Sequence, residues 1–469
     1  MNIFGLRYFG IFFLIISFFS FFNIIYSYYF NLLSNLDNYI LTFILTLISG
    51  VFLIIFKKYK YEKINLFERI LIVFIGYLIL PVLISIPYYL SLEDIGLINC
   101  YFEAISGFTS TGFTIFQEIQ ELDQTLILWR SSSQWIGGLY FLFSILLLID
   151  LFDENLKRSL TNYISLNSSE IFKQVFKIII IYISMTILIF IMLKLVNLRS
   201  YDAYNYSLTI ISSGGFLPNN NFDITFSSDL SKFILSVTML FSFFSLFFIF
   251  NLIFFKRKNI NYLSEDINIL LYLLIVIGLS FIFFNYENNF LNILVSISSS
   301  VSNIGISFEN IPKNLVFVFL LLVILGGSFF STSSGLRVIK VITLIKFSIN
   351  NLLSHSKPNQ IYSNKLSLNK ISANITDINK YFFAIIIFII SLFLISTLLT
   401  ISNLDFESSF KLGILTIMNT VNSEMYDLAN LDFYNFNIFG KISLITFMII
   451  GRIELLSVII LLKKFLFKN

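Results

Sequence analysis

Four short clusters of small and polar residues interrupt a sequence that is otherwise mostly apolar, and they cover residues 109–113, 212–216, 302–306 and 419–423. The first three centre on Gly112, Gly215 and Gly305, and the fourth has Asn422 at the corresponding place. Glycine adopts left-handed or extended backbone without a side-chain clash, so it directs carbonyl groups towards an ion in place of water. Asparagine is among the few other residues that tolerate left-handed geometry. The pattern favours coordination of a dehydrated cation by main-chain oxygens.

The clusters recur at intervals of roughly 100 residues, which indicates internal duplication. Glycine and serine in membrane segments usually serve helix packing, and any one cluster alone favours that interpretation. Each cluster, however, lies in a half-apolar segment too short to span a bilayer, near residues 95–116, 201–221, 288–308 and 406–427. Non-helical backbone survives at membrane depth only where protein buries it or it lines a water-filled cavity. Four matching segments therefore favour a pore.

The composition shows which solvent surrounds the chain. Of the 469 residues, 57% are hydrophobic and only 12% are charged, which is more apolar surface than a soluble core can bury. A single Cys and a single His exclude a disulfide framework and argue against a zinc or haem enzyme. No GxxxxGK[ST] motif is present in the sequence, so nucleotide control requires another chain. We expect a multi-pass membrane protein that is not an enzyme, with no cofactor of its own and no nucleic-acid partner.

Apolar runs predict the elements that position the clusters, since a spanning helix needs roughly 20 residues. Ten helices are expected near residues 4–30, 39–56, 68–90, 125–151, 174–197, 229–255, 267–285, 314–347, 379–402 and 436–466. The connections that carry basic residues face the cytoplasm under the positive-inside rule, which places both termini there. These basic residues are Lys57, Lys58, Lys60, Lys63, Lys157, Arg158, Lys173, Lys177, Lys256, Arg257, Lys258, Lys463, Lys464 and Lys468.

The predicted fold class is an all-α polytopic membrane protein. Four repeats, each a helix, a pore loop and a second helix, surround one central pore and follow two extra N-terminal transmembrane helices. The expected units are residues 1–60 for the N-terminal helices, 61–160 and 161–260 for the first two repeats, 261–370 for the third, and 371–469 for the fourth.

Three further features are unusual in apolar membrane segments. Residues 326–336 interrupt an apolar helix with Gly, Ser and Thr, which break helical continuity, so they predict either a mobile barrier or a packing kink. Arg452 lies inside a predicted spanning helix, where a guanidinium is costly unless it faces a cavity or a partner; the alternative is snorkelling to the surface. Glu103, in the first pore segment, is either an outer cation attractor or part of a solvated helix face.

Several of these stretches resemble the Trk/Ktr/HKT potassium-uptake superfamily, and within it the Trk-type membrane subunit. The resemblance covers nearly the whole chain and is strongest at residues 106–112 (SGFTSTG), 129–131 (WRS), 134–138 (QWIGG) and 451–455 (GRIEL). It implies potassium transport across a bacterial inner membrane, a cytoplasmic regulatory subunit that binds nucleotide, and a homodimer in the lipid bilayer.

The resemblance also assigns residues. The ion-binding filter is expected at Ser110, Thr111, Gly112, Gly214, Gly215, Ile304, Gly305, Val421 and Asn422, with K⁺ as the transported ion. The gate is expected at Gly326, Gly327, Ser331, Thr332, Ser333, Ser334, Gly335 and Arg452, where Arg452 forms a positive barrier below the filter.

Asn422 departs from the family's glycine and leaves alternatives open. Selectivity depends on the number and field strength of the coordinating oxygens, so a side chain there admits Na⁺ as an alternative ion. A non-conducting sensor on the same scaffold is a second alternative. A membrane enzyme is a third, but it needs clustered acids or histidines, and the single His355 has no evident acidic partner in the sequence.

Overall fold

The structure is a computed structural model, and it describes residues 3–55, 65–92, 95–148, 171–220, 222–253, 264–283, 290–309, 311–356 and 375–453. Most of the basic residues used to orient the chain lie outside these ranges, and so does Glu454. The described part is predominantly helical and confirms the predicted all-α class.

Two N-terminal helices precede the repeats: α1 (Ile3–Tyr29) and α2 (Leu36–Ile55). Aromatic side chains pack α1 against the first repeat, where the ring of Phe12 lies 4.8 Å from the ring of Tyr140, centroid to centroid. Such edge-to-face contacts add to the burial of the rings. The N-terminal pair therefore supports the wall of the first repeat from outside.

The first repeat comprises α3 (Leu66–Ser91), the pore helix α4 (Leu97–Phe108) and α5 (Gln124–Leu147). The second comprises α6 (Ile171–Leu195), the pore helix α7 (Ser200–Ile211), a short turn α8 (Phe222–Thr225), and an inner helix in two parts, α9 (Asp229–Leu240) and α10 (Leu246–Ile253). Each pore helix has 12 residues, which is too short to span a bilayer.

The third repeat comprises α11 (Ser264–Phe283), the pore helix α12 (Phe290–Val301), α13 (Val316–Ile324), and α14 (Val338–Ser356). Between α13 and α14 lies the expected interruption, closed by a parallel pairing of β1 (Leu325–Gly326) with β2 (Leu336–Arg337). The fourth repeat comprises α15 (Ile375–Ile401), the pore helix α16 (Phe406–Ile417) and α17 (Ile438–Ile453).

Five helical stretches in the described part are long enough and apolar enough to cross a membrane: Arg7–Tyr29, Leu33–Ile55, Leu66–Ser91, Gln174–Leu195 and Ile378–Ile401. These include the N-terminal pair and three helices that open a repeat. By contrast, Thr125 to Leu147 of α5 are buried throughout, so this inner helix is enclosed by protein on every side. The C-terminal halves of the four pore helices are buried as well, so these helices and α5 belong to the buried centre of the described structure.

The prediction of one continuous helix over residues 229–255 was wrong. The helix is interrupted between Leu240 and Leu246, because backbone groups there bond to the third-repeat loop. The carbonyl of Phe243 accepts a hydrogen bond from Ser328 N at 2.9 Å, and Leu246 N donates to the carbonyl of Phe330 at 3.0 Å. Backbone groups with outside partners no longer need the helical ladder.

Candidate ion filter and gate

All four pore helices end in the same backbone turn. The second residue after each helix is left-handed although it is not glycine, with φ of 56° at Ser110, 56° at Ser213, 60° at Asn303 and 49° at Asn419. The next residue donates its N–H to the carbonyl five positions earlier, as Thr111 does to Ser106 at 2.9 Å and Thr420 to Leu415 at 2.9 Å. This is the bonding of a Schellman cap. The four turns therefore leave their helices through the same cap.

The shared cap fixes the register of the four turns. Two residues after the left-handed position stand Gly112, Gly215, Gly305 and, in the fourth repeat, Val421. The alignment of Asn422 with the glycines was therefore wrong by one residue. Asn422 does not have a positive φ, and its side-chain amide donates to the Leu428 carbonyl at 3.0 Å, outside the turn.

The four turns approach one another closely. A Cβ atom added to Gly112 would lie 3.1 Å from the Cα of Gly215, and one added to Gly305 would lie 2.7 Å from the carbonyl oxygen of Val421. Gly112 and Gly305 also have φ of 85° and 84°, which an L side chain rarely adopts. Glycine is required here by close approach and, at two of the three positions, by the backbone conformation as well.

Two motif glycines let inner helices contact the ends of pore helices. A Cβ added to Gly137 of α5 would collide with the carbonyl oxygen of Phe108, the last residue of α4. A Cβ added to Gly451 of α17 would collide in the same way with the carbonyl oxygen of Ile417, the last residue of α16. These equivalent contacts give a physical reason for the QWIGG and GRIEL stretches.

The loop over residues 326–336 lies directly against the four turns. Thr332 Oγ1 donates to the Ile211 carbonyl at 2.8 Å and lies 3.2 Å from Ser213 Oγ. Ser334 Oγ donates to Asn419 Oδ1 at 3.4 Å. The loop thus contacts the left-handed residues of the second and fourth repeats.

Arg337 holds the same loop in shape. Its Nη1 donates to the carbonyls of Ser328 at 2.9 Å and Ser333 at 3.0 Å, and to Ser331 Oγ at 3.2 Å. Gly335, at φ 92°, turns the chain back to the β1–β2 pair. The interruption is therefore a folded loop with its own internal bonds, and the alternative of a simple packing kink does not describe it.

Arg452 joins the loop to the turns. Its side chain is 1% exposed, Nη1 donates to Ser334 Oγ at 2.6 Å, and Nη2 donates to Ser110 Oγ and to the Ser212 carbonyl, both at 3.4 Å. The guanidinium carbon lies 4.1 Å from the centroid of the Phe141 ring, within cation–π range. Arg452 is enclosed by protein, which disagrees with snorkelling to a surface.

Comparison with known proteins finds relatives over most of the chain. No family model matches the sequence. The chain is 27% identical over 324 residues to an uncharacterized cation transporter of Methanocaldococcus jannaschii, a match that covers 65% of each chain and so falls just short of two thirds of that relative. It is 24% identical over 415 residues to the Trk system potassium uptake protein TrkH of Salmonella typhimurium, with 84% of each chain covered.

The crystal structure of the potassium transporter TrkH from Vibrio parahaemolyticus superposes with a TM-score of 0.81 at 21% identity, over 97% of this chain and 98% of that one. The resemblance to the Trk-type membrane subunits is confirmed. The four-repeat Trk-type fold accounts for nearly the whole chain.

Within this Trk-type fold, Glu103 has neither of the roles expected for it. It is fully buried, and its Oε1 accepts from Arg130 Nε at 2.9 Å and from Thr114 Oγ1 at 3.1 Å, while Oε2 accepts from Ile115 N at 3.0 Å. Both oxygens are occupied by protein donors. Glu103 and Arg130 therefore form a buried ion pair that holds the chain just after the first turn.

Gln134 is a positioning residue whose role the sequence did not reveal. It is buried in α5, and its side-chain oxygen accepts from Phe216 N at 3.3 Å, just after the second turn. A Cβ on Gly214 would collide with this amide. The first inner helix thus supports the second turn, a contact between repeats that only the folded chain displays.

A cavity of about 440 Å³ lies beside the turns. Its lining includes Gly112, Gly215 and Val421, together with the polar side chains of Asn422 and Asp432. Nearby, desolvation raises the pKa of the Glu424 carboxyl, and the carboxylates of Glu309 and Asp223 raise it further. Asp432 is the acidic residue of the cavity lining, which also contains the guanidinium of Arg130. The single histidine, His355, does not line this cavity and is exposed in the last turn of α14.

Proposed function

We propose that the protein carries potassium ions across a membrane through the passage between the four turns. The observation that supports this most directly is that four equal backbone caps bring Gly112, Gly215, Gly305 and Val421 to one centre. Backbone carbonyls arranged around a centre replace the water shell of a cation. Relatives over most of the chain are named potassium uptake proteins.

The proposed ligands are backbone carbonyls of the two residues that end each turn. They are Thr111, Gly112, Gly214, Gly215, Ile304 and Gly305 in the first three repeats and, by the register of the caps, Thr420 and Val421 in the fourth. Ser110 contributes to the site through its hydroxyl contact with Arg452. The carboxylate of Asp432 in the cavity lining attracts cations, and the membrane potential supplies about 2.3 kcal/mol per charge per 100 mV.

The loop over residues 326–336 and Arg452 form the proposed gate. The loop contacts two turns through Thr332 and Ser334, while Arg452 adds a buried positive charge beside Ser334. A cation that passes the turns meets this charge, which raises the energy of the ion at that point. Opening requires the loop to separate from Ser213 and Asn419, so gate movement and the shape of the turns are linked.

The resemblance to Trk-type subunits supports further proposals about the setting. We place the protein in a bacterial inner membrane, as a homodimer controlled by a cytoplasmic subunit that binds nucleotide. A non-conducting sensor is the second candidate function, because the fourth turn carries Val421 where the other three have glycine.

Rubidium uptake into sealed vesicles tests the proposal. Wild-type protein should take up rubidium under an inside-negative potential, and external potassium should suppress it. Gly305→Ala should reduce uptake at least about tenfold, because φ of 84° strains an alanine and its Cβ would meet the Val421 carbonyl.

The matched control is Gly278→Ala in α11, since a Cβ added at Gly278 meets nothing within 4 Å. It should leave uptake unchanged. Uptake that is absent from both wild type and a variant with a weakened gate, Ser334→Ala, would contradict potassium transport and favour the sensor.

A further inference from the structure

The side chain of Val421 occupies the point on which the other three turns converge. A Cβ added to Gly112 would lie 3.0 Å from Val421 Cβ, and one added to Gly305 would lie 2.9 Å from Val421 Cγ1. A Cβ added to Gly215 would collide with Val421 Cβ. The glycines of three separate repeats thus all face one isopropyl group, that of Val421. Val421 is 8% exposed and lines the cavity of about 440 Å³ beside the turns, so its side chain faces that cavity.

An apolar group at this point changes what an ion meets. A dehydrated cation needs several oxygen ligands around it, and both its entry and its discrimination depend on their number and field strength. The isopropyl group offers no lone pair and takes space that the three glycines leave open. A β-branched side chain is also stiff about χ1, so it does not fold away freely.

We propose that Val421 is the specificity-determining residue of this filter. Its side chain narrows the passage, reduces the number of oxygens that reach the ion, and so lowers both the flux and the preference for potassium over sodium. This inference rests on the proposed transport function and deepens it. The sequence alone had assigned this effect to Asn422, whose side chain instead bonds to the Leu428 carbonyl.

The direct test compares Val421→Gly with Asn422→Gly in the vesicle assay. Val421→Gly should raise rubidium uptake about tenfold, which corresponds to a barrier lower by about 1.4 kcal/mol, and should increase the ratio of rubidium to sodium uptake. Asn422→Gly is the matched control and should change neither quantity. Unchanged uptake in Val421→Gly while wild type transports, or the increase appearing in Asn422→Gly instead, would overturn the inference.

A chemical measurement separates this inference from the transport function. The sole cysteine of the chain, Cys100, is buried, so Cys100→Ala removes it from the background. In that background Val421→Cys should react with a small thiol reagent added from the outer side, and potassium should slow the reaction. Val301→Cys, at a fully buried valine that ends α12, should stay unreactive in the same time.

An unreactive cysteine at position 421 in protein that elutes as a folded species would overturn the placement of this side chain, whatever the uptake assay gives. Reaction at 421 without uptake by wild type, Ser334→Ala or Val421→Gly would keep the placement and overturn the proposed transport. The two failures are therefore distinguishable.

Discussion

At the scale of single residues, ion pairs near the turns differ in how much they stabilise the fold. The ion pair of Glu103 and Arg130 is almost completely buried, with exposed fractions of 0% and 1%. Removing one partner of such a pair leaves an uncompensated charge and costs roughly 3–5 kcal/mol. The ion pair of Lys411 and Glu407 also joins a cation to a carboxylate, but this carboxylate is solvated, since the Glu407 side chain is 75% exposed. Exposed pairs contribute about 0–1 kcal/mol.

Glu103→Gln should therefore destabilise the protein strongly, because Arg130 loses its counter-charge and Thr114 and Ile115 lose an ionised acceptor. Thermal unfolding of the purified protein in detergent measures this. We expect a clear fall in Tm for Glu103→Gln and almost none for the control Glu407→Gln. Equal shifts for the two variants would show that the buried pair does not hold the first turn.

At the same scale, the sequence indicates where the three glycine-containing turns lie but not the register of the fourth turn. Gly112, Gly215 and Gly305 stand out because polar neighbours surround them in apolar segments. Val421 gives no such signal, since valine is an ordinary residue in a membrane segment. The available clue was the pair Asn303 and Asn419, which are the left-handed residues of their turns. Counting two positions on from each asparagine pairs Val421 with Gly305.

At the scale of elements, apolar runs predicted the repeating pattern of spanning and pore helices because helix length must match the bilayer. The break between α9 and α10 escaped prediction. The local sequence there is apolar, and the cause is tertiary: the 326–336 loop bonds to the backbone of Ser242 and Phe243. The interruption of the third inner helix was predictable because its own Gly and Ser residues signal it.

The coupling of the loop to the turns yields an element-scale prediction. Thr332→Val removes the hydroxyl that donates to the Ile211 carbonyl at 2.8 Å and lies 3.2 Å from Ser213 Oγ, while it keeps nearly the same volume. Each lost bond weakens the contact between the loop and the second turn by about 1 kcal/mol. Rubidium uptake should therefore rise several-fold.

Thr343→Val is the control for this change. Among the residues that the structure describes, its hydroxyl bonds within α14, to the Ile339 carbonyl at 2.7 Å. Uptake should stay at the wild-type level. A rise of equal size in both variants, or a fall in Thr332→Val with intact folding, would show that the loop does not act as a barrier.

At the scale of the whole molecule, three parts of the described structure adjoin one another. The cavity with Asp432 in its lining lies beside the turns, the four turns converge, and the loop contacts both the turns and Arg452. Contacts between repeats hold this order, as Gln134 of the first repeat does for the turn of the second. The four turns converge only in the folded chain, because each repeat contributes one of them.

The reversal potential of purified protein in a planar bilayer, with potassium on one side and sodium on the other, tests the central claim most directly. The account predicts a cation current that reverses towards the potassium equilibrium potential and reverses still closer to it in Val421→Gly. The current should be strongly reduced in Gly305→Ala but not in Gly278→Ala. A folded protein that passes no cation current, even as Thr332→Val, would contradict the account. A current that is unaffected by Gly305→Ala would contradict it equally, because the ions would then cross elsewhere.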